Sequence, residues 1–311
     1  MLELRCAGRL RHSTFAEMGF PDVRAPILLP GLNRDFGSTP GTDLLVFSST
    51  RGNQAASIFC VEVVLEDWKV VRDSLRLLLA PGPEGSFYGG GAIATGTRRS
   101  PEGTTEIYFA GFNQDDSRSS RGVLSPGLLR SPATPHSAAT PVKVLQPLVE
   151  KYPLVGSVDE FSDAQGSGYL LFAVGGELVR IGIGSSHPAS RLWCAAIGSG
   201  PGKPLPISLN SDEFAHTRPQ LLGLQGVRYL LFSTRHLDGS YRQACAEEVS
   251  GEWVRRPISI AWENEREEKV SRGNLCYAFV APSTRRSSIM VSATLDFRGE
   301  SDVLFLNLGR I

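Results

Sequence analysis

Apolar runs of one kind recur along the chain: LLVFSSTR from Leu44, IYFAGFNQ from Ile107, YLLFAVGG from Tyr169, YLLFSTRH from Tyr229, and a looser fifth, CYAFVAPS, from Cys276. Their starts lie 63, 62, 60 and 47 residues apart. Short unbroken apolar runs bounded by Gly, Asp, Pro and Ser predict buried strands. A fixed period predicts a repeated unit. Each unit has one layout: a strand, a turn, the aromatic-rich strand, then further strand-like runs such as ASIFCVEVVL (56–65) or ELVRIGIG (177–184). Helical spacing is nearly absent. Its best candidate, EDWKVVRDSLRLLLA (66–80), also reads as an outer strand and a turn.

Four strands per unit and five units in 311 residues give about 62 residues per unit. Radially repeated four-stranded antiparallel sheets are propeller blades, so the expectation is an all-β, five-bladed β-propeller forming one domain over residues 1–311. LELRCAGRL near the start and DVLFLNLGRI at the end are both strand-like and are expected to pair and close the ring. A pair of β-sandwiches is the competing architecture, but it gives no reason for the near-constant spacing. The Ser-, Pro- and Arg-rich run at 115–144 reads as a long surface excursion, a mobile loop or a lid. The charged run ENEREEKVSR (263–272) reads as a solvated turn.

Composition narrows the partners. Lys plus Arg and Asp plus Glu both number 32, so no bulk charge draws the chain to nucleic acid or to an anionic membrane. No run approaches the roughly 18 apolar residues that span a bilayer, and the first residues carry no signal-peptide pattern. Cys6, Cys60, Cys194, Cys245 and Cys276 are scattered and odd in number, which predicts buried thiols rather than disulfides or a zinc site. A cytoplasmic protein is expected. No cofactor or metal is expected either: the glycine triplet in YGGGA (88–92) lacks the helix and Lys-Ser/Thr step of a phosphate loop.

The stretch TRPQLLGLQGVRYLLFSTRH (217–236) resembles the levansucrase-type fructosyltransferases, glycoside hydrolase family 68. In that family a Glu-Arg-Pro step opens an inner strand and a Tyr-Tyr-Leu-Phe strand follows. Residues 67–96, 155–174 and 274–297 resemble its second, third and closing blades. The resemblance implies a five-bladed propeller, a fold shared with the invertase-type and arabinanase-type hydrolases. It also implies three funnel carboxyls: a nucleophile, a general acid and a transition-state stabiliser, the first two about 5 Å apart for a retaining reaction. Carried across, the general acid falls on Thr217, whose hydroxyl is no proton donor at neutral pH. The stabiliser falls among Gly156, Ser157 and Val158, and the nucleophile on Val23. The family's Trp-Ser-Gly-Ser-Ala step appears as Tyr88 to Ala92, with glycine in place of a sugar-facing serine.

Relocated catalytic groups are therefore sought in Asp22, Asp159, Glu213 and His216. Asp159 shares a strand face with Ser157, because two residues restore the face. His216 titrates near neutrality. Candidate ligand-binding groups are Arg24, Tyr88, Glu160, Arg218, Gln220, Tyr277 and His236. Two arginines in a funnel suit a carboxylate or phosphate, while Arg218 equally suits a tie between blades. Three functions stay open: a glycosidase-like propeller acting on or binding a carbohydrate or glycoconjugate with a diverged catalytic set; a repurposed cyclase or isomerase for a non-sugar metabolite; and a non-catalytic ligand-binding or scaffold propeller. The expected partner is a small molecule, a sugar or another metabolite, and neither nucleic acid nor a membrane.

Overall fold

The computed structural model describes residues 2–29, 39–50, 55–100, 103–112, 124–130, 140–143, 155–162, 168–181, 186–197, 201–261, 275–281, 289–297 and 300–310. Strand β1 (Leu2–Leu10) and a short helix α1 (His12–Ala16) lead into a first antiparallel meander: β2 (Arg24–Leu29), β3 (Asp43–Ser49), β4 (Ser57–Val64) and β5 (Lys69–Leu79). The second is β6 (Gly91–Arg99), β7 (Thr105–Phe112), β8 (Leu124–Arg130) and β9 (Thr140–Lys143). The third is β10 (Val155–Ser162), β11 (Gly168–Arg180) and β12 (Ser186–Ala196), with the two-residue β13 (Lys203–Pro204) on β12. The fourth is β14 (Glu213–Leu224), β15 (Val227–His236), β16 (Tyr241–Val249) and β17 (Glu252–Arg256). After β18 (Ile258–Ala261) comes the fifth: β19 (Leu275–Val280), β20 (Ile289–Phe297) and β21 (Glu300–Arg310). Its fourth strand is β1, antiparallel to β21 from Leu2↔Arg310 to Leu10↔Val303, and β18 lies parallel outside β1. The expected pairing of the two ends of the chain is thus present.

The strands form four sheets rather than five, because a single parallel bridge, Ser190↔Ala215, joins the third and fourth meanders. The second strands of the meanders begin at 43, 105, 168, 227 and 289, which are 62, 63, 59 and 62 residues apart. The irregular 47-residue step in the sequence came from phase. CYAFV belongs to β19, a first strand, and the true fifth second strand is β20. The Ser/Pro-rich run at 115–144 also needs correcting, since it contains β8 and β9. Pro126 lies just beyond the last pair with β9, Pro141 lies on an edge strand, and both positions tolerate a missing N–H. Gly127 faces the Phe109 ring, where a Cβ would stand 2.2 Å from a ring carbon. The rest of that run, including its reading as a lid, lies outside the described residues, as do residues 263–272. Residues 69–79 are the edge strand β5, with charged positions along it and no helix.

The aromatic-rich strands are unbroken apolar runs because both of their faces are buried. On β3, Leu44 and Val46 face β6 and β7 through Ala92, Ala94, Ile107 and Phe109. Leu45 and Phe47, on the opposite face, meet Val303 and Phe305 of β21 and Phe15 of α1. The next contacts repeat the scheme. Tyr108 and Leu128 pack on Leu170 and Phe172. Leu171 and Leu192 pack on Leu230 and Phe232. Tyr229 and Leu231 pack on Leu275, Val291 and Leu306. Each meander therefore buries one face on its predecessor and one on its successor, and the fifth packs on the first. A fully buried Leu or Phe in these layers contributes roughly 1.5–3 kcal/mol.

Every first strand is interrupted by a bulge, between Arg24 and Ile27, Ala94 and Gly96, Gly156 and Val158, Thr217 and Gln220, and Cys276 and Phe279. A bulge frees backbone groups that must find partners elsewhere. Buried polar side chains of a neighbouring meander supply them. Ser48 Oγ accepts from the Ala94 amide at 2.9 Å, and Ser292 Oγ donates to the Pro26 carbonyl at 2.9 Å. Ser190 Oγ donates to the His216 carbonyl at 2.8 Å, and Gln243 Nε2 to the Leu275 carbonyl at 3.0 Å.

Candidate functional site

The bulges set the site. Three of them hold a non-glycine residue in the left-handed region: Ala25 at φ 53°, Arg218 at φ 54° and Tyr277 at φ 57°. Ala25 and Arg218 each precede a proline, so Arg-Ala-Pro of β2 and Thr-Arg-Pro of β14 are the same local structure. A residue before proline normally takes extended backbone, and a left-handed L-residue costs roughly 1–2 kcal/mol. Such strain gathers at functional positions.

Arg218, released from the strand by its bulge, donates from Nη1 to the Ala94 carbonyl of β6 at 2.8 Å. Its guanidinium lies 4.8 Å from the centre of the Tyr277 ring of β19. Burial lowers its pKa from the ordinary arginine value. The Tyr277 ring stands 6.1 Å from that of Tyr241 on β16. Tyr241 lies opposite Arg235 in the β15–β16 register, which brings the Arg235 guanidinium to 4.9 Å from its ring. Arg235 also stacks on Phe214 of β14 at 5.2 Å and donates to His187 Nδ1 of β12 at 2.8 Å. The result is a continuous ladder, Arg218–Tyr277–Tyr241–Arg235–Phe214, ending on His187 and crossing three meanders. Burial raises the pKa of both phenols, so they stay protonated donors. Burial, and then Arg235, lowers that of His187, which stays neutral. Arg24 contributes a further positive charge felt at Tyr277.

Of the expected ligand-binding residues, Arg218 and Tyr277 meet here, while Arg24 pairs with Asp22 at 2.9 Å. The others are placed differently. Tyr88 packs its ring on Phe87 and Phe109, at 5.0 and 6.1 Å. Gln220 is buried and its amide oxygen accepts from the Val280 amide, tying β14 to β19. His236 is buried between the Asp212 carboxylate (Nδ1, 2.9 Å) and the Thr234 hydroxyl (Nε2, 2.9 Å). It lines a separate cavity of about 410 Å3 with Asp212, Thr234, Arg242 and Arg255. The glycine triplet has a packing cause. Gly91 sits at φ 120° with a would-be Cβ 2.6 Å from the Ala56 amide nitrogen, and the Ala92 amide donates to the Ala56 carbonyl. It joins two meanders and does not widen a pocket.

The carboxylates expected to do chemistry are engaged elsewhere. Asp22 accepts from Ser49 Oγ (2.8 Å), the Thr50 amide (2.9 Å) and Thr50 Oγ1 (3.0 Å), and pairs with Arg24 at 2.9 Å. It is a tether between the start of β2 and the end of β3. Glu213 is buried under the Arg255 guanidinium, with bonds of 2.6 and 2.9 Å, and accepts from the Asn210 amide at 2.9 Å. Burial opposes its ionisation, but Arg255 and Asn210 outweigh burial and bring its pKa down to about 2. A general acid needs the opposite shift. His216 is wholly buried, 3.4 Å from Glu213, and its Nδ1 has no hydrogen-bond partner among the described residues; burial lowers its pKa to about 4 and keeps it neutral. Asp159 and Glu160 lie on β10 opposite Leu171 and Leu170, and their side chains fall outside the description.

Sequence reading missed Phe214, Tyr241 and His187. The signal for Tyr241 was present: an Asp-Gly turn between His236 and Tyr241 fixes a hairpin register, and that register sets Tyr241 opposite Arg235. The five thiols are unbridged, and burial pushes Cys60, Cys194 and Cys245 up to about 11. No described helix is long and apolar enough to cross a membrane.

No family model matches the chain, and no curated protein matches its sequence. Solved structures do match in shape. A thermostable family-43 glycoside hydrolase superposes with a TM-score of 0.63 at 13% identity, covering 93% of this chain and 90% of its own. Bacillus subtilis levansucrase superposes with a TM-score of 0.60 at 10% identity, covering 97% and 86%. A Dyadobacter fermentans protein of unknown function gives 0.57 at 11%, covering 94% and 96%. The fold of this chain is thus propeller-like and all-β, and it resembles the family-43 and levansucrase glycoside hydrolases.

Proposed function

We propose that the chain is one five-bladed propeller domain that binds a carbohydrate or glycoconjugate in its central funnel, without the retaining chemistry of the hydrolases it resembles. Two facts support the five blades: the 62-residue recurrence of second strands, and the order of the buried clusters, in which the fifth meander packs on the first. The observation that carries the binding reading is the set of three strained bulges, Ala25, Arg218 and Tyr277, at equivalent places on three first strands. The fold keeps that strain where the side chains of Arg218 and Tyr277 converge.

Binding is favoured over hydrolysis because the two described candidate carboxylates, Asp22 and Glu213, are each held by three hydrogen-bonding or ion-paired residues. A retaining reaction needs a free pair about 5 Å apart. The test is a panel of fructosides, arabinosides and other oligosaccharides, followed by calorimetry and by product analysis. At least one glycan is expected to bind without release of reducing sugar. Arg218→Ala and Tyr277→Ala are each expected to weaken it about tenfold, on the order of 1.4 kcal/mol. Failure of every glycan to bind would sink the reading; rapid turnover would restore the hydrolase.

A further inference from the structure

Arg235 has no carboxylate partner among the described residues. Four other arginines do meet carboxylates: Arg255 with Glu213, Arg98 with Glu106, Arg228 with Glu248, Arg9 with Asp302. Arg235 lies between Tyr241 and Phe214 and donates to His187, and none of the three carries negative charge. No described carboxylate touches it. Removing a guanidinium from water is costly unless an anion compensates, and stacking on rings covers only part of that cost.

We infer that the Arg235 end of this ladder recognises an anionic carbohydrate, a sugar bearing a carboxylate or a phosphate, with the anionic group against Arg235 and the hydroxyl-bearing body extending towards Tyr241, Tyr277 and Arg218. The guanidinium keeps a planar fork for such oxygens, and the protonated phenols supply donors for hydroxyls. The body of the ligand rests on the carbohydrate reading above, whereas its charge rests on Arg235 alone.

The experiment is calorimetry on the full chain with glucose, sucrose, glucuronate, glucose 6-phosphate and inorganic phosphate at low and high salt. Glucuronate or glucose 6-phosphate is expected to bind at least tenfold more tightly than glucose, with the difference shrinking at high salt. Whichever of the two binds better identifies the anion. Arg235→Gln is expected to erase that difference, and Arg235→Lys to keep part of it. Unchanged melting temperatures in both variants separate lost recognition from lost folding. Equal binding of neutral and charged sugars by wild type and Arg235→Gln would overturn the inference and leave the carbohydrate reading standing. Binding of inorganic phosphate lost in Arg235→Gln, with no gain from any sugar, would keep the anion site and retire the sugar. No binding by any probe would overturn both.

Discussion

Single residues in this chain are placed by what they satisfy. Glu213 and His216 read as acid or base candidates in the sequence because both lie just before Thr217, where the family this chain resembles keeps its proton donor. In the fold both are buried, and Arg255 takes the charge of the first. Their consequence is for stability against acid. His216 has a folded pKa of about 4 against an ordinary 6.5, so between those values the unfolded chain binds the extra proton and stability falls as pH drops from 6.5 to 4. Glu213, depressed to about 2 from 4.5, holds its contribution above 4.5 and loses it as pH falls towards 2. Thermal unfolding is expected to show a continuous loss from pH 6.5 downward, and His216→Leu is expected to flatten its upper part. A slope unchanged in that variant would remove His216 as the cause.

At the scale of elements, the first strands carry the design. Each has a bulge, and those of β2, β6, β14 and β19 are tied by a polar side chain from a neighbouring meander. Gly91 of β6 makes a close backbone approach to Ala56. Gly91→Ala forces a methyl to within 2.6 Å of the Ala56 backbone at a φ of 120°, so it is expected to destabilise by at least about 2 kcal/mol in denaturant unfolding. Gly223→Ala, with nothing within 4 Å of its Cβ, is the control and is expected to change little. Equal effects would show that the Ala56 approach is not what Gly91 serves. Much of this level was legible in the sequence. Unbroken apolar runs announced strands buried on both faces, and Arg-Ala-Pro beside Thr-Arg-Pro announced two matching first strands. The buried Ser and Gln ties were not legible, because a serine at a strand end looks the same whether it meets water or the next sheet. β8 and β9 were hidden by Pro126, Gly127 and Pro141, whose usual meaning as breakers is reversed by their places beside a ring and at an edge.

For the whole molecule, the period of about 62 residues was visible before any coordinates, and its one irregular step was a misassigned strand. The ladder was harder to see. Its rungs come from β12, β14, β15, β16 and β19, and only the packing of successive meanders brings them together. The pairing of β1 with β21 has a mechanical consequence. Leu2 lies opposite Arg310, so these two residues sit at the same end of one antiparallel strand pair. A load applied across those two points does not shear the pair; it peels one hydrogen bond after another. Held in an optical trap by residues 2 and 310, the protein is expected to yield at low force, with β1 departing first and the remaining sheets losing a partner only afterwards. The same molecule gripped at Leu10 and Arg310 is loaded along the strands and is expected to resist several times more. Equal rupture forces for the two geometries would mean that another element, not this seam, gives way first.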